Sequence, residues 1–316
     1  MVTAAMADET MRAVRFERYG EADVLQVVEV PRPRASAGRA VVQVQAAAIN
    51  PGEASIRKGL LHDRWPATFP EGEGTDFAGV VTEVGDGVTS VAVGDEVIGW
   101  TEERASHAEF VSVPAGQLVA KPAGVPWEAA GSLSVAGVTA WATIRAVGAG
   151  AGDTVAVSAA AGGVGSIAVQ LARRAGATVL GIAGPVSAGW LTSVGVTPVT
   201  YGDGLAGRLK AAAPDGISAF IDCFGGGYVD LALQLGVPKE RIDTIIDYAA
   251  AQQAGVQVAG MATVEDPAAV LSELAALVAS GELVVPIAKT YPLDQVRDAF
   301  GELEQRHTLG KIVLLP

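Results

Sequence analysis

The chain is poor in the residues that build crosslinks and metal sites. It has one cysteine, Cys223, in 316 residues, which excludes an intrachain disulfide and a cysteine-rich structural zinc site. Its three histidines, His62, His107 and His307, show no ligand spacing such as two on one helical turn. No apolar run reaches the roughly 18 residues that a membrane-spanning helix requires. The first residues lack a basic stretch followed by an apolar core, so no secretory signal is expected and a cytoplasmic location is. Basic residues are in deficit: 22 Lys and Arg against 35 Asp and Glu give a formal net charge of −13. That balance argues against nucleic acid and anionic membrane surfaces as partners. The absence of a G-x-S-x-G elbow and of a Walker lysine removes two further enzyme classes.

What is present is a globular composition, 50% hydrophobic and 18% charged, long enough for two domains. The most informative stretch runs from Thr154 to Arg174. Thr154–Val157 is β-branched or apolar, which suits a buried strand of a parallel sheet. Val164, Ile167, Ala168 and Leu171 recur at helical spacing. Between strand and helix lies a glycine turn whose G-x-G-x-x-G positions are Ala160, Gly162 and Gly165, with Gly163 and Val164 between them. Gly162 lets the backbone approach a pyrophosphate, Gly165 lets the helix sit close to the strand, and the first helical amides face the phosphates. Ala160 replaces the first glycine. The context on both sides points to dinucleotide binding.

Residues 1–10 look like a loose extension. From Met11 to about Val119 the pattern is one of short strands, Val27–Val30, Ala40–Ala46, Gly79–Val84 and Glu96–Gly99, separated by glycine turns, which suggests a β-barrel-like domain. A helical region is expected over Trp127–Val147. Strands and helices then alternate: Thr154–Val157, a helix over Gly163–Ala175, then Thr178–Ile182, Thr197–Thr200, Ala219–Asp222, Asp243–Ile246 and Val256–Val258. That alternation implies an α/β, doubly wound parallel sheet. Asp266-Pro267 opens a helix that Gly281 ends. A second helix is expected over Leu293–Gln305 and a terminal strand over Lys311–Leu315.

Taken together, these residues resemble the zinc-free quinone oxidoreductase group of the medium-chain dehydrogenases/reductases. The resemblance is carried by Met11-Arg-Ala-Val-Arg-Phe16 and by Gly74-Thr-Asp-Phe-Ala-Gly79 with Gly85 and Val88, which keeps the spacing of G-H-E-x-x-G-x5-G-x-x-V. Ala136-Gly-Val-Thr-Ala-Trp141, Ala159-Ala-Ala-Gly-Gly-Val-Gly165, Tyr291-Pro-Leu and Gly310-Lys-Ile-Val313 continue it in the same order. It implies a GroES-like catalytic domain over residues 11–126 and 262–316, enclosing a Rossmann domain over 127–261, and a homodimer. In zinc alcohol dehydrogenases the signature histidine is a metal ligand. Thr75 stands at that position here, Asp76 at the neighbouring glutamate, and Asn50 near the upstream ligand cysteine. An amide and a hydroxyl do not replace a thiolate and an imidazole on zinc, so no catalytic metal is expected.

NAD-binding Rossmann folds place an acid about 20 residues on, for the ribose hydroxyls. The stretch Val179-Leu-Gly-Ile-Ala-Gly184-Pro-Val-Ser187 has none, which favours NADPH, although the family's serine and lysine are replaced by Gly184 and Ala188. Ser187 is the nearby hydroxyl. Tyr201 matches a tyrosine that lies against the adenosine phosphate, or is a half-buried strand-end residue. The resemblance puts Asn50 beside the nicotinamide, where its amide would bond a substrate carbonyl; the alternative is an Asn-Pro turn cap. Thr139 is a second position at the nicotinamide, or a threonine bonded back to its own helix. Trp65 and Trp100 either wall a substrate pocket or fill the core. Cys223 and Phe224 end a sheet strand at the ligand crevice, and the thiol itself reads as a small buried hydrophobe. Arg57 and Lys58 read as a solvated charge pair, and His62 as a solvated loop residue.

The expected activity is NADPH-dependent, zinc-independent hydride transfer to a quinone or to the C=C bond of an α,β-unsaturated carbonyl. The alternatives are a non-redox cyclase or isomerase on the same fold, and a nucleotide-binding protein without turnover.

Overall fold

In the computed structural model, which describes residues 9–316, the Arg39–Ala48 strand is the spine of the first unit. Seven of its ten residues are buried, and it pairs antiparallel with Asp76–Val84, Phe110–Pro114 and Lys311–Leu315. The full path runs Ile287–Pro292, Lys311–Leu315, Arg39–Ala48, Asp76–Val84, Glu96–Trp100, Leu118–Ala120. A smaller sheet places Thr10–Phe16 between Gln26–Pro31 and Glu71–Gly72. One core is lined by Val42, Val44, Phe77, Val97 and Val111. A second joins both ends of the chain through Phe16, Leu25, Ile49, Phe300 and Leu314. Burying such side chains, at roughly 25 cal/mol per Å² of apolar area, is what ties the C-terminal strand and helix to the N-terminal strand.

The second unit is a five-stranded, all-parallel sheet. Its order is Thr197–Thr200, Thr178–Ala183, Thr154–Val157, Ala219–Asp222, Ile242–Thr244. Thr154–Val157 comes first in the chain and sits in the middle, with Ala219–Asp222 on its other side, so the order reverses there. The carboxyl ends of those two strands therefore flank the ligand crevice of a doubly wound sheet. The Gly163–Arg174 helix buries Ile167, Ala168 and Leu171 and carries Arg173 and Arg174 in its last turn, where they complement the helix dipole.

The units take residues through Ser134 with Ile287–Arg306 and Lys311–Pro316, and Val135–Pro286 with His307–Gly310. Both divisions fall later than the expected 126/127 and 261/262. The first helix after Pro126, Trp127–Ala130, belongs to the first unit: Gly131 O accepts from Ala48 N at 3.0 Å, and a Cβ on Gly131 would lie 2.4 Å from Ala46 O. The segment near Val284 is bound by Gln170, whose side chain exchanges two hydrogen bonds with the Val284 backbone at 2.8 and 2.9 Å.

Other departures are local. The helical region breaks into Trp127–Ala130 and Ser134–Ala146 around Gly131. The strand expected at Asp243–Ile246 is Ile242–Thr244, because Thr244 Oγ1 accepts from Asp247 N at 3.1 Å and turns the chain. Val256–Val258 is not a strand; only the isolated bridge between Asp243 and Gln257 remains. Leu293–Gln295 is a 3-10 turn leading into the helix Val296–Glu304. Of the expected extension, Thr10 already belongs to a strand, and residues 1–8 lie outside the described residues.

Candidate active site

In the second unit the glycine turn forms a cradle. Ala159 takes a left-handed backbone with φ of 44°, and Gly162 N donates back to Ala159 O at 2.8 Å. Ala160 is fully buried, its N bonded to Ile182 O at 3.0 Å. Gly162 caps the Gly163–Arg174 helix, and Gly162, Gly163 and Val164 are partly exposed at its start. The first-turn amides have no intrahelical acceptor by geometry, which is what anion binding at a helix start requires. A Cβ at Gly165 would sit 2.2 Å from Ala159 O, whereas one at Gly162 meets that oxygen at 3.2 Å and little else. Gly165 is thus required by helix-to-turn packing, and Gly162 leaves open space above the turn.

A buried network fixes the neighbouring strand end. Ser158 Oγ donates to Asp222 Oδ1 at 2.6 Å and accepts from Cys223 N at 2.8 Å. Asp222 Oδ1 also accepts from Phe224 N and Gly225 N at 3.0 Å, and its Oδ2 accepts from Thr244 Oγ1 at 2.9 Å. Cys223 and Phe224 are brought beside the glycine turn by this network. Burial pushes the Cys223 thiol well up, and the Asp222 and Asp243 charges add to it, so it is not a ready nucleophile. Asp243 is buried with Oδ2 unpartnered; burial first, then the Asp222 charge, push its carboxyl up to about 7. Ser158, Asp222 and Thr244 escaped the sequence reading. Their signal was three polar residues at the ends of three adjacent parallel strands, but which strands are adjacent is a tertiary fact.

At the next strand ends, Ser187 N donates to Gly184 O at 3.1 Å, and the half-exposed Tyr201 lays its phenol beside Gly184. Arg208 gives its guanidinium to the carbonyls of Thr200, Tyr201, Gly202 and Asp203 at 2.7–3.3 Å. Thr139, nearly buried, accepts from Met261 N at 3.3 Å.

In the first unit the chemistry gathers around Asn50, which caps the helix Pro51–Arg57. Its Nδ2 donates to Glu53 Oε1 and Asp76 Oδ2, both at 3.1 Å, and its Oδ1 accepts from Lys311 Nζ at 2.5 Å. Glu53 Oε1 also accepts from Thr75 N at 2.9 Å. Lys311 Nζ donates to Ile49 O at 3.2 Å and lies 3.7 Å from Asp76 Oδ2. Burial pushes the Glu53 carboxyl up, while bonds from Asn50 and Thr75 and the Lys311 charge pull it back. His107 Nε2 faces Ala48 O at 3.3 Å, which makes Nε2 the protonated nitrogen and leaves the buried Nδ1 unpartnered. Its burial lowers the imidazole to about 4, so it is neutral at pH 7.

Arg57 is not solvated. It is fully buried, paired with Glu73 at 3.1 Å and Glu304 at 3.0 Å, and stacked 4.4 Å from the Phe300 ring. Glu73 is pushed up to about 8, by burial first and then by the Glu53 charge. Lys58, one residue on, is partly exposed and pairs with Glu21 and Glu304. Trp100 is buried and is the strand partner of Asp76, so it shares Asn50's neighbourhood. Trp65 is partly exposed under the Arg64 guanidinium, 4.3 Å away. His62 Nδ1 bonds the Tyr19 hydroxyl at 2.7 Å.

Residues 36–123 match the alcohol dehydrogenase GroES-like domain, and residues 196–314 match the zinc-binding dehydrogenase family. The chain is 29% identical to a chloroplast envelope quinone oxidoreductase homolog of Arabidopsis thaliana, over 98% of this chain and all of that protein. It is 30% identical to an NADPH-dependent alkenal/one oxidoreductase of the same plant, over all of this chain and 82% of the relative. It belongs to the quinone oxidoreductase-like family of medium-chain dehydrogenases/reductases. Its fold agrees: the Escherichia coli quinone oxidoreductase solved with NADPH superposes with a TM-score of 0.86 at 26% identity, covering 96% of this chain and all of that one. Family membership makes the protein an oxidoreductase with a GroES-like and a Rossmann domain. One family description names zinc, and the donor set here does not fit it. Asn50 and Thr75, which the resemblance aligns with zinc ligands, offer an amide and a hydroxyl; an ammonium is bonded to Asn50, and among the described residues no three His, Cys, Asp or Glu side chains form a metal-holding group.

Proposed function

We propose that the protein is an NADPH-dependent, zinc-independent reductase of quinones or of the C=C bond of α,β-unsaturated carbonyls. The observation that carries this reading is the open cradle at Gly162 beside the Asp222-held strand end, in a chain of quinone oxidoreductase-like family. A bound nicotinamide would supply hydride. The chain's own residues do the rest. Amides of Gly163 to Gly165 hold the pyrophosphate, and the Ser158–Asp222 network sets the backbone of Cys223 and Phe224 against the nucleotide.

Preference for NADPH is supported by the corner around Gly184. It holds no acid to bond the ribose hydroxyls, it offers the Ser187 hydroxyl and Tyr201 phenol, and it contains Arg208. Among the described residues no carboxylate lies within 4.0 Å of that guanidinium, so its charge is available to a 2′-phosphate. Zinc independence is supported by the donors around Asn50. Without a Lewis acid a conjugated acceptor is favoured, because its own carbonyl delocalises the charge delivered by hydride. Asn50 and Thr139 are the proposed catalytic residues, on the family resemblance of their positions. The Ile242–Thr244 strand lies at a sheet edge and is the proposed seam of a homodimer.

The test is a fluorescence titration of NADPH and NADH, metal analysis of the same sample, and turnover with enones and quinones. Tighter NADPH binding, no zinc and NADPH oxidation by at least one acceptor are expected. Failure of saturating NADPH to reduce any acceptor overturns the reading, and turnover without cofactor oxidation replaces it with a cyclase or isomerase.

A further inference from the structure

Asn50 is the only asparagine in the chain. It is buried, and both hydrogens of its amide are given to carboxylates, Glu53 and Asp76. An amide in that state has no hydrogen left for a substrate carbonyl. Its orientation is decided by one group. Lys311 Nζ lies 2.5 Å from Oδ1, so flipping the amide would turn the NH2 toward an ammonium and the oxygen toward two carboxylates. Lys311 is itself buried, on the strand that pairs with Arg39–Ala48, and its ammonium also holds Ile49 O.

The same cluster collects the positions that the family resemblance aligns with the ligands of zinc alcohol dehydrogenases. Asn50 and Thr75 are both gathered by Glu53 Oε1, and Asp76 faces both Asn50 and Lys311. We infer that Lys311 is a positioning residue that locks the Asn50 amide in one orientation and supplies a fixed positive charge beside it. Its link to turnover rests on the reductase reading above; the lock itself does not.

The single asparagine makes the lock directly observable. Selective 15N-asparagine labelling yields one side-chain amide pair in the whole protein. In the wild type that pair is expected as one conformer, slow to exchange with solvent. Lys311→Met should give two conformers or rapid exchange, and about a tenfold or larger loss of kcat with the NADPH dissociation constant unchanged, the split expected when a positioning group is lost. Because removing a buried charge leaves Asp76 uncompensated, the pair Lys311→Met/Asp76→Asn is measured beside it. It should regain the wild-type melting temperature without regaining kcat or the wild-type amide signal. Lys311→Arg keeps the charge and should keep one amide conformer, which decides the matter if neither methionine variant folds. An amide signal in Lys311→Met identical to wild type, two conformers in Lys311→Arg, or full recovery of kcat in the double variant overturns the inference. A wild type with no turnover sinks the reductase reading alone, while the amide signals still decide the lock.

Discussion

Gly162 and Gly165 sit three residues apart in one turn, and the structure assigns them different failures. An alanine at Gly165 puts its Cβ 2.2 Å from Ala159 O, 2.8 Å from Ala159 C and 2.9 Å from Ala160 Cα. All three are backbone atoms, so no rotamer change relieves the clash and the helix must move off the turn. Overpacking of this kind costs about 1–3 kcal/mol. At about 2–4 °C per kcal/mol for a domain of this size, the second unit should melt about 2–12 °C lower. An alanine at Gly162 meets only Ala159, its O at 3.2 Å and its Cβ at 3.9 Å, on a backbone with φ of −79° that any residue adopts. Gly162→Ala should therefore melt no more than about 2–4 °C below wild type, since the change costs under about 1 kcal/mol. Its methyl instead occupies the space proposed for the pyrophosphate, and NADPH should bind about tenfold more weakly or worse, a loss of about 1.4 kcal/mol. Thermal melts and NADPH fluorescence titrations on both variants separate the two effects. Wild-type NADPH affinity in Gly162→Ala would refute the phosphate path over this glycine. A wild-type melt in Gly165→Ala would refute the close helix approach.

His107 is buried neutral at about 4, below the ordinary imidazole value, so the unfolded chain binds the extra proton between about pH 6.5 and 4. Stability is expected to fall as pH drops through that window, by up to about 3 kcal/mol from this group. Urea midpoints at pH 7 and 5 should differ less in His107→Gln, and equal slopes would remove the assignment. Asp243 has the opposite sign. With its carboxyl raised to about 7, the folded state holds the proton that the unfolded state has released, so this group's contribution is lost as pH rises toward and through 7. Asp243→Asn, which can still accept from Ala259 N, should be more stable than wild type at pH 8 and no more stable at pH 4 by chemical denaturation. Ser158→Ala leaves Cys223 N without its acceptor and Asp222 without its shortest bond; about 1–3 kcal/mol of stability should go, with a several-fold loss of NADPH affinity. Unchanged nucleotide affinity would show that this network holds only the fold.

The parts legible in the sequence are those whose cause is contiguous. Thr154–Val157, the glycine turn and the following helix are specified by neighbouring residues, as is the Asp266 cap, whose carboxylate accepts from Ala269 N at 3.0 Å. The two-domain α/β architecture follows from the change between strand-rich and alternating patterns. Where the neighbours are distant, the sequence was silent. Arg57 and Lys58 are adjacent and alike, yet one is sealed against Phe300, Glu73 and Glu304 and the other is partly in water. Asn50 could be named, but not its state: its partner Lys311 is 261 residues away, on a strand whose place in the sheet is set by packing against both chain ends. The Ser158–Asp222 pair spans 64 residues in the same way. Backbone preference acts over a few residues and can be read along the chain, whereas desolvation and charge pairing depend on what lies nearby in space, and only the tertiary structure decides that.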